Sequence, residues 1–136
     1  MHANIHWLKN DAINFETTSG SGHKVVVDSE QTLGAKPMEL ILMGLGGCAS
    51  YDVVSILKKS RQDISDVRCQ VSAERADSVP AVFTKIHLHF IITGNDVKEN
   101  QVAKAVELSA TKYCSASKML ADGGVEISHD FEIVAA

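Results

Sequence analysis

Two of the three cysteines in this chain stand where a thiol could do chemistry. Cys48 lies in the apolar run Pro37-Met-Glu-Leu-Ile-Leu-Met-Gly-Leu-Gly-Gly-Cys48-Ala, and Cys114 lies in Lys112-Tyr-Cys-Ser-Ala-Ser117. Two thiols in helical settings suggest redox chemistry. Cys69 reads differently. It sits in Val67-Arg-Cys69-Gln-Val71-Ser-Ala73, where odd positions are small and apolar and even ones polar, so it is expected to fill core on a strand.

Neighbours decide whether such thiols ionise. Asp52 follows Cys48 by four residues and so shares its helix face, where a carboxylate raises a thiol pKa unless a cation intervenes. The candidate cations are Lys9, Lys24, Lys58, Lys112, Lys118, Arg61, Arg68 and Arg75. Cys114 has better local prospects: it precedes Ser115-Ala-Ser117, a plausible helix start whose free N–H groups stabilise a thiolate. The six histidines, His2, His6, His23, His87, His89 and His129, have no spacing diagnostic of a Cys/His pair. His87 and His89 point to one side of a strand, which invites a metal reading with His129 or Cys69. A solvated strand face is the better expectation, since no Cys-x-x-Cys, His-x-x-x-His or acidic ligand cluster supports a site. Trp7, Tyr51 and Tyr113 are expected at core or interface. No Rossmann, Walker or EF-hand signature implies an organic cofactor, and no metal is expected.

The elements that must position the thiols are legible from pattern. Short β-like runs at Ala3–Leu8, Ala12–Glu16 and Lys24–Asp28, with turn chemistry at Lys9-Asn-Asp11 and Ser19-Gly-Ser-Gly22, predict a small meander. Pro37 suits the first turn of a helix, because its missing N–H is not needed there, and the helical pattern runs to about Lys59. From Met38 to Ala49 it is apolar nearly all round apart from Glu39, as in a central helix enclosed by protein. Gly44, Gly46 and Gly47 each cost such a helix about 1 kcal/mol relative to alanine. Close approach of a sheet of the same chain, or of a second copy of the helix, would compensate.

Strands follow at Val67–Ala73 and Thr84–Ile92, the latter with Ile86, Leu88, Phe90 and Ile92 on one face; Pro80 lies between the two. Asp96-x-x-Glu99 has the form of a capping box for a helix reaching about Tyr113 with Val102, Ala103, Ala105, Val106 and Ala110 on one face. A short helical turn is expected near Ser117, and Val125–Ile133 reads as a final strand.

Glu39 is the only charge in the first turns of the apolar helix. Nine residues separate it from Cys48, which at about 100° and 1.5 Å per residue places it on the opposite face, roughly 13 Å along the axis. Glu39 would therefore serve a Cys48 site only from a second subunit, or else simply complement the positive helix N-terminus.

With 136 residues, one compact domain over 1–136 is expected. A charged fraction of 22% and a net charge of −4 leave no basic stripe for phosphates, so nucleic acid is not an expected partner. The stretch Leu40–Ala49 is short for a bilayer, and Met-His-Ala-Asn-Ile-His lacks the pattern of a signal peptide, so the expected location is the cytoplasm, without membrane attachment.

Taken in order, Pro37-x-Glu39-Leu-x(7)-Cys48, Cys48-Ala-Ser-Tyr-Asp52-Val-Val with Lys58-Lys-Ser-Arg61, Val79-Pro-Ala-Val-Phe-Thr-Lys-Ile86 and Lys112-Tyr-Cys114-Ser-Ala-Ser117 resemble the OsmC/Ohr superfamily, in particular its YhfA-like branch. The resemblance spans most of the chain. It implies an α+β OsmC-like fold, antiparallel sheets packed on a long central helix, and an intertwined homodimer with two active sites at its interface. It also implies an antioxidant, stress-response role in which the cysteine matching Cys48 is the peroxidatic thiol and the one matching Cys114 resolves its sulfenic acid. The glutamate matching Glu39 pairs with an activating arginine, the substrate is an organic hydroperoxide, and a dithiol reductant resets the enzyme. Peroxidase members carry that arginine in the N-terminal β region, whereas this chain has none before Arg61. Lys9 or Lys24 could stand in, but lysine offers a point charge rather than a planar fork.

The resulting expectation is a cytoplasmic, homodimeric, peroxiredoxin-like thiol peroxidase with Cys48, Cys114 and Glu39 in its site. The alternatives are a noncatalytic dimer that binds a small apolar or thiol-reactive ligand in an interface cavity, and a purely structural dimer.

Overall fold

A computed structural model describes residues 1–10 and 12–136. The Lys9-Asn-Asp11 turn falls partly on Asp11, outside the described residues. The chain forms two compact units, residues 1–42 and 43–136.

The first unit is a three-stranded antiparallel meander of β1 (Ala3–Trp7), β2 (Asn14–Ser19) and β3 (Lys24–Asp28). The turn after β2 closes through the Ser19 N–H on the His23 carbonyl at 2.8 Å, with Gly22 at φ 89°. Register puts Ile5, Trp7, Phe15 and Val25 on one face, and Ile5, Trp7 and Val25 remain exposed. At the end of β3 the Asp28 carboxylate gathers the next loop. It accepts the Glu30 N–H at 2.9 Å, the Leu33 N–H at 3.0 Å and the Thr32 hydroxyl at 2.7 Å, an Asx-type arrangement. These donors, the Thr32 hydroxyl first, hold its pKa down at about 2.

That loop delivers the chain to α1 (Pro37–Lys59). Proline opens the helix, and Glu39 at the third position reaches back to accept the Lys36 N–H at 2.9 Å, half of a capping box. The uninterrupted stretch Leu40–Ala49 is short, but the whole helix, at 23 residues, is long and apolar enough to cross a membrane. Within the second unit, however, Leu45, Ala49, Val53 and Leu57 form a buried stripe four residues apart, as in the core helix of a globular protein. Elsewhere the helix is less enclosed than its sequence suggests: Met43 and Tyr51 are 61% and 75% exposed.

The second unit continues through β4 (Asp63–Arg75), β5 (Phe83–Asn95), α2 (Glu99–Leu108), a π-helical turn (Ser109–Tyr113), α3 (Ser115–Asp122) and β6 (Glu126–Ala135). Its sheet has the order β4-β5-β6. Ile86, Leu88, Phe90 and Ile92 alternate inward from β5 and are buried with Val102, Ala105 and Val106 of α2. The α+β class holds, but the sheets are not wholly antiparallel: β6 runs parallel to β5. The α2–α3 crossover permits this by returning the chain to its starting end, which a hairpin cannot do.

The capping box expected at Asp96 does not form. Asp96 has φ 50° and its carboxylate pairs with the Lys98 ammonium at 2.9 Å, so the N-cap falls on Lys98, with no side-chain cap. The Gln62 side chain accepts the Lys98 N–H instead, at 2.9 Å. The turn expected near Ser117 begins two residues earlier and runs for 8 residues as α3.

Candidate active site

The second unit brings Cys48 and Cys114 together. Cys48, half-buried on α1, neighbours the buried Cys114 thiol at the N-cap of α3. The free Ser117 N–H of the first α3 turn donates to Cys114 Sγ at 3.4 Å, the anion-favouring contact expected from Ser115-Ala-Ser117. Burial nevertheless wins: it pushes the Cys114 thiol above its ordinary pKa, the Ser117 hydroxyl and N–H oppose it, and nearby Cys48 adds to the rise. Of the two, Cys48 is the more accessible and Cys114 the more enclosed.

Two helix turns set this pair. The Cys114 N–H donates to the Ser109 carbonyl at 2.9 Å, closing the π-helical turn. Ser109, 1% exposed, aims its hydroxyl at Asp52 Oδ2 at 3.0 Å and at the Ala49 carbonyl at 3.3 Å. Asp52, one turn after Cys48, therefore accepts a hydrogen bond from a hydroxyl of the segment that leads into Cys114. Sequence pattern alone passed over Ser109. Its signal was a small polar residue continuing the stripe Val102, Ala105, Val106, where a buried hydroxyl needs an acceptor.

A cleft of about 500 Å³ opens beside Cys114, lined by Lys112, Tyr113, Lys118 and Met119 among others. The Lys112 ammonium lies 5.3 Å from the Tyr113 ring centroid, a cation–π contact, and Lys118 pairs with Asp122 at 2.7 Å. Of the other cations considered for the thiols, Lys24 pairs with Glu16 and Arg68 with Asp66. Arg75 donates to the Ala81 carbonyl at 2.8 Å.

Glu39 belongs to the first unit. The Lys36 N–H and the Gln31 side-chain amide, each at 2.9 Å from Oε1, hold its carboxyl below the usual range. This is the helix-terminus role weighed for it in the sequence.

Cys69 is half-buried on the inward side of β4, where burial raises its pKa and the Ser50 hydroxyl of α1 partly offsets the rise. Trp7, Tyr51 and Tyr113, expected at core or interface, are 48%, 75% and 51% exposed in the single chain. His87 and His89 face one side of β5 and form a hydrogen-bonded ladder with β6. His87 Nε2 and His89 Nδ1 lie 2.8 Å and 2.7 Å from Asp130 Oδ1, and His87 Nδ1 lies 2.7 Å from Ser128 Oγ. Strand alternation places His129 and Cys69, opposite Leu88 and Phe90, on the other face. Among the described residues no group of three or more His, Cys, Asp or Glu side chains is set to hold a metal ion.

An α+β chain with a long apolar helix, a parallel β5–β6 pair and adjoining thiols on α1 and before α3 matches the family model described as OsmC-like protein over residues 28–130. The chain belongs to the OsmC-like protein family. It is 46% identical over 137 residues to Protein YhfA of Escherichia coli (strain K12), covering all of both chains. The crystal structure of a hypothetical protein from Aquifex aeolicus VF5 superposes with a TM-score of 0.87 at 27% identity, over 99% of this chain and 96% of that one. An organic hydroperoxide resistance protein OsmC from Legionella pneumophila shares the fold with a TM-score of 0.70 at 17% identity, over 96% of this chain and 95% of that one.

Proposed function

We propose that this chain, as a single OsmC-like domain in a cytoplasmic homodimer, reduces organic hydroperoxides with Cys48 as the attacking thiol and Cys114 as the resolving one. The observation that carries this reading is the adjacency of the two thiols, one half-buried and one enclosed beneath the Ser117 N–H. The hydroperoxide resistance named for the Legionella structure is consistent with it.

In the reaction, the Cys48 thiolate attacks the O–O bond and takes one oxygen as sulfenic acid, while the leaving alkoxide picks up a proton to give an alcohol. Cys114 then attacks the sulfenic sulfur, a disulfide forms and water departs. A dithiol reductant exchanges with the disulfide, restoring both thiols and becoming oxidised itself. Glu39 would act from the partner subunit, and the exposed Met43 and Tyr51 of α1 offer apolar area for that subunit.

Stoichiometric treatment of the reduced protein with a bulky organic hydroperoxide, with hydrogen peroxide alongside, is the direct test. A Cys48–Cys114 bond should form within the first turnover, faster with the organic peroxide. Cys48→Ser should abolish turnover, and Cys114→Ser should permit one oxidation and then stall at sulfenic acid or beyond. Equal turnover in both variants and wild type would reject the reading. Because the chain has no arginine before Arg61 and burial raises Cys114, the second reading is a dimer that binds a small apolar or thiol-reactive ligand. Thiols left unchanged by hydroperoxide would support it.

A further inference from the structure

We infer that Ser109 and Asp52 are positioning residues that clamp the segment bearing Cys114 to the helix bearing Cys48, and that this clamp sets how readily the two thiols join. The inference rests on the proposed pairing of those thiols.

Three observations meet at Ser109. Its carbonyl receives the Cys114 N–H at 2.9 Å, a bond from residue i to residue i−5, so the π-helical turn ends at Cys114. Its hydroxyl lies 3.0 Å from Asp52 Oδ2 and 3.3 Å from the Ala49 carbonyl. Finally, it is 1% exposed, so water cannot replace these partners. One residue thus holds Cys114 through its backbone and, through its side chain, grips α1 between one residue and one turn beyond Cys48.

The π turn makes this grip consequential. α2 is regular as far as Leu108, and the wider Ser109–Tyr113 turn then leads into Cys114, whose backbone is extended at φ −75°, ψ 103°. Five residues of less favourable helix need an external anchor, and a charge-assisted hydroxyl–carboxylate bond is among the stronger ones available. The clamp also assigns Asp52 a task other than opposing the Cys48 thiolate: its carboxylate is engaged by a donor.

Loss of the clamp should widen the range of separations between the thiols and lower their effective concentration toward each other. The decisive measurement is the equilibrium of the Cys48–Cys114 disulfide with reduced and oxidised glutathione, followed by mass spectrometry on the full chain. Ser109→Ala and Asp52→Ala should each lower the effective concentration roughly tenfold, as expected for one buried, charge-assisted bond. Ser109→Thr keeps the hydroxyl and should retain most of it, and Asp52→Asn, which keeps an acceptor but gives up the charge, should lose less than Asp52→Ala. In Ser109→Ala, condensation to the disulfide should slow relative to sulfenic acid formation at Cys48, the latter trapped by a carbon nucleophile.

Effective concentrations equal to wild type in both alanine variants would overturn the clamp. So would an equal loss in Asp52→Asn and Asp52→Ala, which would make the charge itself the cause. A wild type that forms the disulfide with glutathione but never with hydroperoxide would defeat the peroxidase reading and leave the clamp standing.

Discussion

At the scale of single residues, hydrogen bonding and burial act in opposite directions on the groups that matter most. Asp28 receives a hydroxyl and two N–H groups from its own loop and stays ionised far into acid. Cys114 is met by the Ser117 hydroxyl and N–H, yet burial dominates and pushes its pKa up. The carboxylate gives a prediction with a definite sign. Its pKa is lowered from 3.8 to about 2, so its contribution to stability is fully present above the unfolded value and is lost as pH falls from about 4 through about 2. In Asp28→Asn this acid limb should disappear, and amide exchange across residues 29–36 should be faster and less dependent on pH over that range. Identical acid limbs in variant and wild type would show that the loop does not depend on the charge.

At the scale of elements, α1 carries the largest local conflict in the sequence, three glycines in a helix. The fold resolves one of them. A Cβ at Gly46 would lie 3.0 Å from Val71 Cγ2 of β4, so the glycine allows helix and sheet to approach. Gly46→Ala sets a helix-propensity gain of about 1 kcal/mol against overpacking of about 1–3 kcal/mol. The net effect should be destabilising by on the order of 1 kcal/mol in denaturant unfolding, and a gain in stability would mean that Val71 yields freely. At Gly44 and Gly47 a Cβ meets nothing within 4 Å among the described residues. Alanine there should add about 1 kcal/mol of helix stability per site in a monomer, but should weaken association if a second helix packs on that face.

At the scale of the whole molecule, the proposed homodimer makes the strongest demand. In the first unit Ile5 and Trp7, and in the second Met43 and Tyr51, are large apolar side chains left between 48% and 75% exposed, which a partner subunit would cover. Sedimentation of serial dilutions should therefore show loss of folded protein together with loss of dimer, and Met43→Asp should shift the equilibrium toward dissociation. A well-folded monomer at low concentration would remove the subunit interface from the proposed site, and with it the role given to Glu39.

How much of this was legible in the residues follows from the range of the forces involved. Helix α1 was readable from Pro37 to Lys59, the inward face of β5 from its alternation, and a Cys114 anchored at a helix start from Ser115-Ala-Ser117, because each depends on neighbours within a few positions. Family membership was readable from the order of short motifs along the chain. Tertiary structure alone decided what depends on distant partners. Asp96 lost its cap role to a local ion pair and to Gln62, and β6 turned parallel because a crossover carried it back. The pKa of Cys114 rose rather than fell because burial is a property of the packed fold. Asp52 met Ser109 across 57 residues of chain: the sequence supplied a carboxylate and a hydroxyl, and only the fold that sets the π-helical turn against α1 made them partners.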